Sequence, residues 1–127
     1  MGGRIHLVSP DGSQDHQLTP EAGPLGDFDL AWSQDGKALY FLSNRSSMVE
    51  VWSINVDGSD IHQITTLPSG FSASHSLRLS PDGSKLAYYG VSPGVEKFGQ
   101  EIYVLNTDGS DVHSITLSPG DEDWLDW

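Results

Sequence analysis

The feature that most constrains the fold is a tandem repeat built from two alternating motifs. The segments "IHLVSPDGSQDHQLT" from Ile5, "VWSINVDGSDIHQIT" from Val51 and "IYVLNTDGSDVHSIT" from Ile102 align without gaps, at offsets of 46 and 51 residues. Between them, "FDLAWSQDGKALYFLS" from Phe28 aligns with "HSLRLSPDGSKLAYYG" from His75 at an offset of 47 residues. Two interleaved motifs that recur every 46 to 51 residues predict the blades of a propeller.

Each motif is typical of two β-strands joined by a tight turn. β-Branched and aromatic residues alternate before an Asp-Gly pair, and the strand pattern resumes after it. Glycine supplies the positive φ that such a bend requires. We label the strands A to D, with A and B from the Trp-Ser-x-Asp-Gly motif and C and D from the Asn-x-Asp-Gly-Ser motif.

This labelling predicts an all-β chain made of propeller blades, each with four antiparallel strands. The predicted units are strands C and D of a partial blade in 1–19, full blades in 27–66 and 74–117, and the first strand of a further blade in 123–127. That gives eleven strands. Because propellers close with about four to eight blades, we expect an incomplete ring and treat 1–127 as a single repeat region.

The quoted motifs resemble the TolB-type propeller repeat, a WD-like family with a Trp-Ser-Pro-Asp-Gly-Lys signature. Here the signature stands as "WSQDGKALYF" and "LSPDGSKLAYY", so Gln34 replaces the expected Pro and Leu79 replaces the Trp. The resemblance implies a non-enzymatic scaffold that binds proteins. Similar repeats also form the non-catalytic gating propeller of prolyl-oligopeptidase-like serine peptidases, which is the alternative that stays open. A small-ligand or carbohydrate-binding propeller is a third possibility.

The charge balance narrows the class of partner. Six Lys and Arg residues against 18 Asp and Glu give a formal net charge of -12. Phosphate backbones and anionic lipid surfaces repel such a protein, so neither is expected as a partner. The longest apolar runs are only a few residues, so membrane insertion is not expected either. The opening "MGGRIHLVSPDG" lacks the apolar stretch of a secretory signal. A periplasmic and a cytoplasmic location both remain open.

The Asp-rich turns invite comparison with a calcium loop. Asn55, Asp57 and Asp60 offer oxygen ligands, but Gly58 follows Asp57 directly and no Glu closes the set. Asn and Asp side chains in turns ordinarily bond nearby backbone amides. The turn interpretation is therefore favoured, and we predict no metal and no cofactor.

Two further patterns resemble a zinc site and a serine-hydrolase site, but neither has the arrangement that such a site requires. His16, His62 and His113 recur at one repeat position, which places them a blade apart on half-exposed outer strands, too far apart for one zinc ion. The segment from Ser69 to Ser72, "SGFS", lacks the Gly-x-Ser-x-Gly elbow of serine hydrolases. We predict no catalytic residues.

The large aromatic residues divide between packing and contact. Trp32, Leu79 and Trp127 share one position at the end of strand A and are expected to pack between blades. Trp52 and Tyr103 lie on strand C, where stacking of sheets would bury one face of each ring.

Partner contacts are expected on loops and on an exposed Trp, since loops carry most recognition and Trp is favoured at interaction hot spots. Self-association is also expected, with two copies approximating a six-bladed ring. In the ligand-binding alternative, Asp27, Asp29 and Asp123 would line a central channel. The predicted partner contacts are Trp124, Asp121, Glu122, Asp123, Lys97 and Phe98.

Overall fold

Ten β-strands make up the regular structure of the residues described by the computed structural model, which are 3–20, 24–92 and 101–115. No helix occurs in these ranges, so no helix there is long and apolar enough to cross a membrane. The strands are β1 His6–Leu7, β2 His16–Gln17, β3 Asp27–Trp32, β4 Ala38–Ser43, β5 Glu50–Asn55, β6 His62–Gln63, β7 Ser72–Leu79, β8 Lys85–Val91, β9 Glu101–Asn106 and β10 His113–Ser114.

The strands form three separate antiparallel sheets in chain order. The N-terminal sheet is the pair β1-β2, the first blade is β3-β4-β5-β6, and the second blade is β7-β8-β9-β10. Sequential antiparallel strands in four-stranded sheets are the architecture of propeller blades. The all-β, incomplete-ring prediction is confirmed. The predicted strand at 123–127 lies outside the described residues.

The Asp-Gly turns adopt the predicted backbone conformation. Gly58 and Gly109 both have left-handed φ values, of 87° and 90°. At Gly109 a Cβ atom would also clash with the carbonyl oxygen of Ile64, which belongs to the first blade. Glycine at this position thus allows both the bend and the close approach of neighbouring blades.

Strands β3 and β7 share a bulge at the same repeat position. Asp29 and Ser76 have φ values of 52° and 62°, in the left-handed region. The register of the β3-β4 pair shifts between Phe28 and Ala31, and that of the β7-β8 pair shifts around His75 and Ser76. A β-bulge bends a strand and redirects the side chains that follow. Alternation alone therefore assigns the faces of these strands incorrectly.

The packing prediction for the strand-A position is right for Leu79 and wrong for Trp32. Leu79 packs against the cluster between the two blades, whereas Trp32 is 53% exposed. Trp32 pairs with Leu39 and therefore faces the N-terminal sheet. The described residues of that sheet form only the outer two strands of a blade, and they leave about half of the Trp32 surface uncovered. Trp127 lies outside the described residues.

Candidate interaction surface

The joint between the first and second blades is closed and apolar. Leu77 and Leu86 of the second blade are fully buried against Leu42 and Val51 of the first. The rings of Tyr88 and Tyr103 stack with centroids 5.5 Å apart, and burial raises the pKa of the Tyr88 hydroxyl. The predicted burial of Tyr103 on strand C is thus confirmed, and Trp52 packs in the same way against the cluster on the other face of the first blade.

The N-terminal sheet repeats hydrogen bonds of the first blade, both within the sheet and across the joint to the next sheet. The amide of Ile5 donates to Thr19 Oγ1 at 3.0 Å, as the amide of Val51 donates to Thr65 Oγ1 at 2.9 Å. A second bond repeats as well: the amide of Asp27 donates to the carbonyl of Gly3 at 2.8 Å. Its counterpart joins the amide of Ala73 to the carbonyl of Val49 at 3.0 Å. The N-terminal sheet therefore lies where the outer half of a blade lies.

The inner half of this joint is open. Leu30 is 47% exposed, whereas Leu77, its equivalent in the second blade, is 0% exposed. Trp32 follows two residues later, and the equivalents of both residues, Leu77 and Leu79, pack in one cluster between the blades. We call the pair Leu30 and Trp32 the open joint surface. It is apolar because the repeat places blade-packing residues there, and it is exposed because the described residues place no strand A or strand B beside the N-terminal sheet.

The loop contacts predicted from the sequence cannot be compared with this surface. All six residues lie outside the described ranges, and they remain predictions: Lys97, Phe98, Asp121, Glu122, Asp123 and Trp124. The open joint surface was missed at the sequence level. The repeat aligns Leu30 with Leu77, and this alignment gives no signal that one is exposed and the other buried.

The Asp-rich turns are held by the hydrogen bonds that the turn interpretation requires. Asp57 Oδ1 accepts from the backbone amide of Ser59 at 2.9 Å and also from its hydroxyl. The same pair of bonds recurs at Asp82 with Ser84 and at Asp108 with Ser110. No group of three or more possible metal ligands occurs in the described part of the chain. The carboxylates thus stabilise the turns.

Removing one hydroxyl should shift the titration of a turn carboxylate. The Ser84 side chain is the largest cause that lowers the pKa of Asp82 from 3.8 to about 2. Because the folded pKa lies below the unfolded one, this bond stabilises the fold above pH 3.8 and is lost as the pH falls through 2. In an NMR titration, Ser84→Ala should raise the pKa of Asp82 toward 3.8, and Ser110→Ala should leave it unchanged. Titration of wild-type Asp82 near 3.8 would contradict this assignment.

The repeated histidines lie on the outer strands, as predicted. The side chains of His62 and His113 are 51% and 48% exposed. In each, Nδ1 donates to the carbonyl two residues earlier, on Asp60 at 3.0 Å and on Asp111 at 2.8 Å. His16 occupies the same position on β2 and is also exposed. These rings support the start of strand D in every repeat.

A serine, a histidine and an aspartate meet at the bulge, a grouping that sequence spacing does not reveal. His75 Nδ1 lies 2.8 Å from Ser76 Oγ, and Asp29 Oδ2 accepts from the backbone amide of Ser76. In a catalytic triad the carboxylate orients the imidazole. Here it bonds the amide of the serine, across the joint between blades. The arrangement fixes two bulges against each other and does not reproduce the geometry of a charge-relay site.

The channel-lining role considered for Asp27 is wrong. Its side chain is fully buried and accepts two bonds from Arg45 Nη2, at 2.7 and 2.8 Å. The guanidinium also lies over the rings of Phe41 and Trp52, at 5.6 and 5.3 Å from their centroids. Asp29 also makes a structural contact, since its Oδ2 accepts from the backbone amide of Ser76. Asp123 lies outside the described residues.

No protein-family model matches the chain. It is 28% identical over 88 residues to an uncharacterized protein of Agrobacterium fabrum, covering 66% of this chain and 29% of that protein. It is 36% identical over 59 residues to a TolB homolog of Chlorobium chlorochromatii, covering 46% of this chain and 13% of that protein. The chain therefore spans less than a third of the length of either relative.

Solved propeller structures superpose on most of the chain. A TolB-type protein from Agrobacterium tumefaciens aligns with a TM-score of 0.75 at 23% identity, over 89% of this chain and 40% of that one. TolB from Acinetobacter baumannii gives 0.72 at 19% identity, over 92% and 27%. An oligogalacturonate lyase from Vibrio parahaemolyticus gives 0.68 at 16% identity, over 89% and 33%. These likenesses establish the fold of TolB-like propeller blades.

Proposed function

We propose that this chain, a run of TolB-like propeller blades, is a non-enzymatic scaffold that binds proteins through the open joint surface. The observation that carries the proposal is the contrast between Leu30, 47% exposed, and its buried equivalent Leu77. Leu30 and Trp32 occupy repeat positions that pack between blades, yet both are exposed at the joint between the N-terminal sheet and the first blade. Exposed apolar patches of this kind mark interaction sites.

Burial of this surface contributes favourable free energy to binding. Covering a large apolar side chain stabilises a complex by about 1.5–3 kcal/mol. Tryptophan is among the residues most often found at interaction hot spots. The net charge of -12 favours a partner with basic groups, because complementary charge accelerates encounter. A protein partner can supply both the apolar surface that covers Leu30 and Trp32 and the basic groups that attract this chain.

Self-association of the chain provides a first test of the proposed binding surface. In light scattering over a concentration series, we expect the wild-type mass to rise above that of one chain. Trp32→Ser should weaken the association about tenfold or more, because the hot-spot indole is lost. Met48→Ser is the matched control, since Met48 is 38% exposed in the loop between β4 and β5 and outside the open joint surface. A stable monomer at every concentration, or equal effects of both variants, would contradict the proposal.

A gating propeller of a serine peptidase is the second candidate. It is supported by the superposition on a puromycin-hydrolyzing peptidase of Mycobacterium tuberculosis, with a TM-score of 0.60 at 20% identity. This chain covers 17% of that protein. A reading frame that continues into a Gly-x-Ser-x-Gly hydrolase segment would favour this candidate over the scaffold. The superposition on the oligogalacturonate lyase supports a carbohydrate-binding propeller through the shared fold.

A further inference from the structure

Each Asp-Gly turn brings together the two groups that react in aspartate isomerisation. In this reaction the backbone nitrogen of the glycine attacks Cγ of the aspartate, the bond from Cγ to the hydroxyl breaks, and water leaves as a cyclic succinimide forms. Water then opens the ring at either carbonyl, which restores aspartate or yields isoaspartate, with the chain continuing through Cγ. Glycine hinders this attack least, because it has no Cβ. The chain contains Asp-Gly pairs that begin at Asp11, Asp35, Asp57, Asp82 and Asp108.

Hydrogen bonds restrain both reacting groups in the folded turns. The amide of Gly36 donates to the carbonyl of Ser33 at 3.0 Å, and the amide of Gly83 donates to the carbonyl of Ser80 at 2.9 Å. The reacting nitrogen is therefore bonded alike in these two turns. Loss of water requires a protonated carboxyl group, so bonds donated to the carboxylate also slow the reaction, because they favour its ionised form.

The carboxylate of Asp35 accepts two bonds from the described residues of its own turn. Its Oδ1 accepts from the hydroxyl of Ser33 at 2.7 Å and from the amide of Lys37 at 3.0 Å. The Ser33 hydroxyl is the largest cause that lowers the pKa of Asp35. Because Lys37 has no hydroxyl, the residue that follows the glycine holds this carboxylate through its amide alone.

Asp82 occupies the same repeat position and accepts one bond more. Its Oδ1 accepts from the hydroxyl of Ser80 at 2.8 Å and from the amide of Ser84 at 3.0 Å, which repeats the two bonds of Asp35. The third bond comes from the hydroxyl of Ser84 at 2.7 Å. Ser84 is the largest cause that lowers the pKa of Asp82 to about 2. At neutral pH its protonated form is therefore about 60-fold scarcer than that of a carboxyl with the ordinary pKa of 3.8.

We propose that the pair Asp35–Gly36 is a site of spontaneous aspartate isomerisation in the folded chain, whereas the hydroxyl of Ser84 protects the equivalent pair Asp82–Gly83. Both aspartates are exposed, so water for the ring-opening step reaches either turn. Surface turns open locally at little cost in free energy, and such an opening lets the glycine nitrogen reach Cγ. The additional hydroxyl bond at Asp82 must break as well before that carboxyl group is protonated and reacts.

Ageing of the folded full chain, followed by proteolytic mapping, tests this proposal. Labelling with an isoaspartyl methyltransferase and mass spectrometry with electron-transfer fragmentation measure isoaspartate at each site. We expect it to accumulate about tenfold faster at Asp35 than at Asp82, because one more bond to a charged group changes the equilibrium by about that factor. Lys37→Ser supplies the missing hydroxyl and should slow the reaction at Asp35 about tenfold. The reciprocal Ser84→Lys should accelerate the reaction at Asp82.

Ageing in urea, at a concentration that unfolds the chain, is the control. The turn bonds are absent there, so Asp35 and Asp82 should react at similar rates. A difference of the same size in urea would assign the effect to flanking residues and overturn the role of the fold. Because Gln34 also donates to the carbonyl of Pro81 at 3.3 Å, beside Asp82, Lys37→Ser is the decisive variant. No isoaspartate at Asp35 in the folded chain, or no effect of Lys37→Ser, would overturn the proposal.

Discussion

Replacing Arg45 with alanine should lower the free energy of unfolding by about 3–5 kcal/mol, because it leaves a buried carboxylate without its partner. Asp27 has a side-chain exposure of 0%, and its two bonds to Arg45 are 2.7 and 2.8 Å long. The variant also removes the guanidinium from the faces of Phe41 and Trp52. Urea unfolding followed by tryptophan fluorescence would measure the loss.

Two further variants make this prediction specific. Arg78→Ala removes an exposed arginine and should change the free energy of unfolding by less than about 0.5 kcal/mol. The double variant Asp27→Leu with Arg45→Met removes both charges together. It should recover much of the loss, since no buried charge is then left unpaired. Equal destabilisation by Arg45→Ala and Arg78→Ala would show that the buried pair has no special role.

Leu77→Ala should destabilise the chain by about 2–5 kcal/mol, whereas Leu30→Ala should cost less than about 1 kcal/mol. The two leucines occupy one position of the repeat, so the chemical change is the same. Leu77 is 0% exposed at the closed joint, and its truncation leaves a cavity among Leu42, Leu86 and Tyr88. Leu30 is 47% exposed and leaves none.

Thermal or urea unfolding of both variants would test the contrast. If Leu30→Ala were as destabilising as Leu77→Ala, the inner half of the first joint would be closed in solution. The open joint surface would then not exist as described. If Leu77→Ala prevents folding, the milder Leu77→Val, paired with Leu30→Val, should preserve the order of the two effects at a smaller size.

The positions of the strands and turns could be read from the sequence with few errors. Asp-Gly pairs demand positive φ, and the alternation around them places β3, β4, β5, β8 and β9 close to their observed bounds. The role of the turn aspartates also follows from sequence, because an Asx bond to the residue two positions on is local. Asp57 and Ser59 form it as predicted. Interactions within a few residues are specified by the residues themselves.

Sequence patterns did not reveal which side chains at the joints are buried or which residues they contact. Trp32 and Leu79 share one position of the repeat, yet one is exposed and the other packs between blades. The ligand-binding alternative placed Asp27 and Asp29 in a channel. In the structure Asp27 forms an ion pair with Arg45, and Asp29 bonds Ser76 from the neighbouring blade. These contacts join residues that are 18 and 47 positions apart.

The sequence by itself determined the period, the strand order and the turn chemistry of this protein. Those properties depend on backbone conformation and on neighbours within one hairpin. Only the tertiary structure decided which repeated apolar residues are buried, because burial requires the adjacent blade to supply the covering atoms. Among the described residues, strand A of the first blade faces only two strands, and Leu30 and Trp32 are exposed there.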